Sequence, residues 1–315
     1  MNTLWGLVLI LTVIVIHEAG HAIAARACGV GLLKFSIGFG PGIVLFRTKN
    51  FPIMLSLLPF GGYVSIKTKR PADELKKIRS KIKATAPDSK KRKALETLIE
   101  GFEKAAQAQR NAPGAYLEDV SYWRKMVIFA AGIIANLVSA TIALALIYIF
   151  APGTEVSILG HNLLIGSPGG GWSGALVNAL LDTSTTFWKI IKNIYKVIPK
   201  TFRDAYEIIV NRNLTPHRGT IGIVQEGAKA AHNGFANTFF LFYFISLVVA
   251  ALNLLPLGIL DGGHLFLQTI KRIIGDGKAT KIVEIVLLFF GIVFISLLLL
   301  NSVSSDLYDI YNYFK

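Results

Sequence analysis

The chain has 315 residues, of which 53% are hydrophobic, and a formal net charge of +14. A mean hydropathy of +0.53 is too apolar for an ordinary soluble chain of this length. One cysteine, Cys28, excludes an internal disulfide and a thiolate-rich metal site, so any metal must rest on histidine and carboxylate ligands.

Four apolar runs, 3–25, 126–150, 235–260 and 283–300, are long enough to cross a bilayer, which takes about 20 residues. The first does not read as a cleaved signal peptide. No basic residue precedes Arg26, and cleavage near Ala25 would discard the most informative residues in it. Those residues are His17-Glu18-Ala19-Gly20-His21. Histidines at i and i+4 share one helical face and can reach one tetrahedral Zn²⁺, and the adjoining Glu18 is then placed to act on a metal-bound water. Three ionisable residues within five positions are costly in hydrocarbon and call for a partner or a metal. A chance pattern and a polar transport path are the competing readings.

Residues 34–64 read as irregular, β-rich structure after the first span. Phe35–Pro41 is punctuated by glycine, 51–58 is a short apolar run, and Pro59-Phe60-Gly61-Gly62-Tyr63-Val64 turns and continues it. Strands this apolar cannot leave open edges in lipid. The loop 67–125 follows, with 16 Lys/Arg against 8 Asp/Glu, and its stretch 72–109 has helical composition broken at Ala86-Pro87-Asp88-Ser89. It predicts a cytoplasmic helix pair, an appendage without a chemical role. Lys271, Arg272, Lys278 and Lys281 form a second basic group between the third and fourth spans. The positive-inside rule then puts both loops in the cytoplasm and both termini outside. The basic loop answers to lipid and topology, and no nucleic-acid partner is expected.

The outer region, 151–234, carries Lys189, Lys192, Lys196 and Lys200 in one stripe, interleaved with Phe187, Trp188, Ile190, Ile191 and Ile194. The pattern suits a helix in the membrane interface, and equally an amphipathic helix against the bundle. The third span, taken as 235–267, ends in Asn253-Leu254-Leu255-Pro256-Leu257-Gly258-Ile259-Leu260-Asp261-Gly262-Gly263-His264. At 1.5 Å per residue the two histidines lie on the order of 20–27 Å down the first helix. Asp261 comes at the end of a span running the same way, so both motifs arrive in the inner half of the bilayer. Asp261 can be the third protein ligand, leaving one position open as a catalytic site requires. His264 reads as a turn residue. The fourth span, 281–301, carries no motif. The fold class is a polytopic α-helical membrane protein of four spans, with a β-hairpin or sheet in the segment 1–66.

These motifs resemble the site-2 protease family of intramembrane zinc metalloproteases, most closely its bacterial branch that cleaves anti-sigma factors and remnant signal peptides. Phe35–Pro41 looks like the family's glycine motif, Pro59–Val64 like its re-entrant β-hairpin, and Ala131-Gly132-Ile133-Ile134-Ala135-Asn136 like its second-span signature. Arg218-Gly219-Thr220-Ile221-Gly222-Ile223 is similar to its short glycine motif before the third span. The resemblance implies Zn²⁺ on His17, His21 and Asp261, with Glu18 as general base. It implies that Asn253 binds substrate backbone or steadies the oxyanion, and that the hairpin around Gly61, Gly62 and Tyr63 receives an unwound transmembrane substrate. The implied partners are transmembrane segments of other proteins, in a bacterial inner membrane. Gly258, Ile133 and Thr220 stand where the family has prolines, and the fewer than 25 residues between Phe150 and the lysine-striped helix leave no room for its usual PDZ domain. A metal-ion transporter on the same His/Asp donors is the rival; it gives Glu18 no task and should show repeats that this chain lacks. A catalytically dead scaffold is a third reading, although every expected metal and base residue is present.

Overall fold

The computed structural model describes residues 2–85, 90–158, 161–166, 169–209, 211 and 220–313. The break at 86–89, Ser167-Pro168 and Arg218-Gly219 lie outside them. The first elements are α1 (Asn2–Ala27), β1 (Leu32–Arg47), β2 (Pro52–Ile66), α2 (Arg70–Lys83), α3 (Lys90–Asn111) and α4 (Tyr122–Phe150). Then come β3 (Glu155–Ile158), β4 (His161–Leu164), α5 (Gly171–Ile209), α6 (Thr220–His232), α7 (Phe235–Asn253), α8 (Asp261–Ile274) and α9 (Lys278–Tyr313). Helices α1, α4, α7 and α9 are long and apolar enough to cross a membrane, and a small sheet follows the first of them. The chain divides into two compact units, residues 18–128 and residues 1–17 with 129–315.

In the first unit, α1 stops because Gly29 takes φ +79°, a left-handed conformation that other residues resist. The Gly29 and Val30 N–H groups then fold back to the carbonyls of Arg26 and Ala25, closing the helix and turning the chain into β1. β1 and β2 each bend, with Gly38, Gly40 and Gly61 at positive φ, and they pair along two antiparallel arms. In one, Phe35 faces Val64 and Ile37 faces Gly62; in the other, Ile43 faces Leu55 and Arg47 faces Pro52. Phe35, Ser36 and Ile37 also stand opposite Ile53, Met54 and Leu55 in ascending register, which joins the arms. The outer edges of the joined sheet are therefore the segments 61–66 and 42–47.

The predicted helix pair is α2 and α3, and Lys67 fastens its base. Lys67 is buried, and its ammonium donates to the carbonyls of Ala112 (2.6 Å) and Gly114 (3.0 Å) beyond the end of α3. A cation at a helix C-terminus meets the negative end of the helix dipole. The Thr68 N–H donates to Gln109 Oε1 at 2.8 Å, so the insertion leaves β2 and returns through one hydrogen-bonded clasp.

In the second unit, Ile133, Leu144 and Ile147 of α4, Val156 of β3, Phe187 of α5, and Tyr243, Leu247 and Ala250 of α7 share one core. Ile190, Ile191 and Ile194 pack against it, so the lysine-striped segment of α5 lies on the bundle, with Lys189, Lys192, Lys196 and Lys200 exposed. The third span is not one continuous helix. α7 ends at Asn253, residues 254–260 form a turn, and α8 begins at Asp261. Pro256 is the cause: it has no N–H for the ladder, and its ring clashes with the preceding turn.

Candidate metal centre

Each metal-ligand candidate is placed by a different local device. The unbroken α1 carries His17 and His21 one turn apart on one face, both buried at 7% and 8% exposure. Asp261 is the first residue of α8, where the positive end of the helix dipole favours a carboxylate. Gly262 and Gly263 let the turn fold tightly over that helix start. A Cβ at Gly262 would come 2.2 Å from the Leu254 carbonyl oxygen, and one at Gly263 2.1 Å from that of Leu257.

His17 Nε2 stands 3.1 Å from Asp261 Oδ2. One ligand atom from each of His17, His21 and Asp261 lies within 4.8 Å of the others, and among the described residues no other group of three histidine, cysteine or carboxylate side chains does so. Two imidazoles and a carboxylate are the donor set of a catalytic zinc site with one open position. The tautomer of His21 also fits. Its Nδ1 is 2.7 Å from the carbonyl oxygen of Ile128. A carbonyl can only accept, so Nδ1 carries the proton and Nε2 keeps its lone pair for a metal.

Glu18 follows His17 directly and is partly buried. Asn253 is the last residue of α7, and its Nδ2 donates to the Val249 carbonyl at 3.0 Å, leaving a second N–H on the same nitrogen. His264 sits in the first turn of α8 and stacks on Phe129, with ring centroids 4.9 Å apart. Gly61, Gly62 and Tyr63 lie on the edge segment 61–66. Gly61 has φ +120°, and a Cβ there would fall 2.2 Å from the Phe39 ring, which stacks on Tyr63. Two neighbours of the histidines escaped the sequence reading. Asn136 had a motif but no assigned task, and its Nδ2 is 3.3 Å from His17 Nδ1. The Ile128 carbonyl is backbone and leaves no trace in side-chain types.

The sequence profile of peptidase family M50 matches residues 5–298. The chain belongs to peptidase family M50. Among its relatives, a Nostoc sp. protein named "Putative zinc metalloprotease all3971" is 23% identical over 90% of each chain. Metalloprotease MmpA of Caulobacter vibrioides is 24% identical over 85% of this chain and 86% of its own length. A Chlamydia trachomatis zinc metalloprotease, named in the same way as the Nostoc protein, is 31% identical over 49% of this chain, but the match spans only 20% of that larger protein. Membership of M50 together with four apolar helices makes this chain an integral membrane metalloprotease, and its His/His/Asp group suits the zinc those names imply.

Proposed function

We propose that the protein hydrolyses peptide bonds in or beside the transmembrane segments of other membrane proteins, with His17, His21 and Asp261 as zinc ligands. The observation that carries this reading is the convergence of those three side chains within 4.8 Å, two of them on a helix apolar enough to span a bilayer. Zinc bound there would polarise the scissile carbonyl and make a water acidic enough to attack it. Glu18 would act as the general base, taking the proton of the attacking water and handing it to the leaving amine. Asn253, with an N–H beyond the one given to Val249, steadies the substrate backbone or the developing oxyanion.

A transmembrane helix hides its amides, so the substrate must open into a strand before it can react. The outer edge of 61–66, holding Gly61, Gly62 and Tyr63, is the proposed template, since an edge strand captures an extended peptide through main-chain hydrogen bonds. The opposite arm exposes Ile43, Val44, Leu45 and Phe46 together, an apolar patch of the kind that marks an interaction site. Both termini are assigned outside a bacterial inner membrane, with the basic loop and water access on the cytoplasmic side. Fitting substrates are anti-sigma factors or signal-peptide remnants, and the short link between α4 and α5 argues against selection by a PDZ domain. A metal-ion transporter finds no counterpart in the M50 match.

The deciding experiment pairs Glu18→Gln with the unaltered protein on a model transmembrane substrate in detergent. The variant should keep its zinc and lose cleavage by about 10²–10⁴-fold, the usual contribution of a general base. Retained turnover would remove Glu18 from this role.

A further inference from the structure

Asn136, on α4, is completely buried, and its Oδ1 has no hydrogen-bond partner among the described residues. Its Nδ2 lies 3.3 Å from Nδ1 of His17, while Nε2 of the same ring lies 3.1 Å from Asp261 Oδ2. A neutral imidazole carries one proton, so the two ring nitrogens play opposite parts. With the proton on Nε2, the ring donates to Asp261 and its Nδ1 accepts from the amide NH₂. As a metal ligand through Nε2, the ring must hold its proton on Nδ1, and that N–H needs an acceptor. The only oxygen of the Asn136 side chain is the orphaned Oδ1. A half-turn of the amide exchanges Oδ1 and Nδ2 with almost no change of shape, because the two ends are nearly isosteric.

We propose that Asn136 is a positioning residue for the metal centre: its amide turns to present Oδ1 to His17 Nδ1–H, and so holds His17 in the tautomer whose Nε2 binds zinc. It does for His17 what the Ile128 carbonyl does for His21, with one difference. A backbone carbonyl serves a single tautomer, whereas an amide serves both, so His17 keeps a hydrogen bond on its far side whichever nitrogen is protonated. Partners of this kind orient a ligating imidazole and raise its basicity, and their removal usually lowers metal affinity 10–100-fold. The inference rests on His17 being a zinc ligand.

The test uses the full-length protein in detergent, with zinc affinity measured by chelator competition and the ligand field read from the visible spectrum of the cobalt(II)-substituted protein. Asn136→Leu keeps the volume and loses the acceptor; it should bind zinc about 10–100-fold more weakly and shift the cobalt bands. Asn136→Asp can accept but not donate, and should return both readouts close to those of the unaltered protein. Unchanged affinity and spectrum in Asn136→Leu would overturn the proposal, as would Asn136→Asp binding as weakly as Asn136→Leu. If Asn136→Leu does not accumulate, ¹⁵N-histidine spectra of the unaltered zinc-loaded protein decide. A proton on His17 Nδ1 supports the assignment, and metal on Nδ1 overturns it. His17→Ala separates this from the ligand reading. Undiminished zinc binding in that variant sinks both, whereas lost binding there with normal binding in Asn136→Leu sinks the Asn136 role alone.

Discussion

Gly258 donates its backbone N–H to the carbonyl of Leu287 at 2.9 Å, tying the turn before Asp261 to the N-terminal third of α9. An interior helix carbonyl is ordinarily shielded by the side chain four residues on, which leans back over the preceding turn. Here that residue is Gly291, and a Cβ on it would stand 3.1 Å from Ile259 and 3.3 Å from the Gly258 nitrogen. The arrangement recurs on α4, where His21 reaches the Ile128 carbonyl and the residue four positions on is the buried Gly132. A glycine thus uncovers two helix carbonyls beside the candidate metal centre, one met by His21 and one by the turn that leads to Asp261.

The family's usual proline should therefore fail at position 258. It lacks the N–H, and any Cβ there would lie 2.6 Å from the Leu288 nitrogen. Gly258→Pro should cost about 1–3 kcal/mol, the loss of one part-buried hydrogen bond together with the steric conflict. A melting temperature in detergent equal to that of the unaltered protein would show that the turn is not held this way.

Covering the Ile128 carbonyl should disturb His21. Gly132→Leu should lower zinc affinity about 10–100-fold, with Gly132→Ala causing a smaller loss. Chelator competition measures both, and equal zinc binding in all three proteins would dissociate the carbonyl from the metal site.

Asp261→Asn and Glu18→Gln should separate ligand from base. A neutral amide at position 261 is a poor ligand, so that substitution should lower zinc occupancy together with cleavage, whereas Glu18→Gln should spare occupancy. Metal analysis of the purified variants reads the difference. Full zinc and full activity in Asp261→Asn would take Asp261 out of the site.

Lys67→Met removes the ammonium that Ala112 and Gly114 share, leaving two carbonyls short of a donor. The expected cost is about 1–3 kcal/mol, felt at the base of the α2–α3 insertion. Limited proteolysis should nick the variant faster between residues 67 and 117, while its zinc content stays normal. If the cleavage pattern is unchanged, the clasp does not hold the insertion.

Substrate selection should follow the ease of unwinding. Gly and Pro are about 1 and 3 kcal/mol worse than Ala inside a helix, so replacing such residues near the scissile bond by Leu should slow hydrolysis. Assays of a variant panel in detergent and liposomes provide the check. Rates that track the bulk of the substrate's outer domain instead would place selection outside the membrane.

The spans and the donor residues were legible in the chain because their signals are local. Hydropathy over about 20 residues marks a membrane helix, and an i, i+4 histidine pair marks one helical face whatever surrounds it. Asp261 could be joined to that pair by depth, since both segments run the same way through a slab of fixed thickness. The rest depended on which backbones approach closely. Nothing in residue types announces that the Ile128 carbonyl faces His21, that Asn136 lies beside His17, or that Gly258 donates to Leu287. In the sequence, the glycines at 132 and 258 are visible only as parts of motifs. The reading of 235–267 as one span missed the weight of Pro256, because apolar residues continue through the turn and hydropathy does not sense a missing N–H. The two-armed register of β1 and β2 was hidden in the same way: side-chain alternation tells which face a residue takes, but not which strand it will meet. Composition and periodicity thus determined which helices are apolar enough to cross a membrane and which residues can bind metal. Hydrogen bonds between residues far apart in the chain decided how those residues are held, because such contacts depend on which segments approach closely, and residue types alone do not fix that.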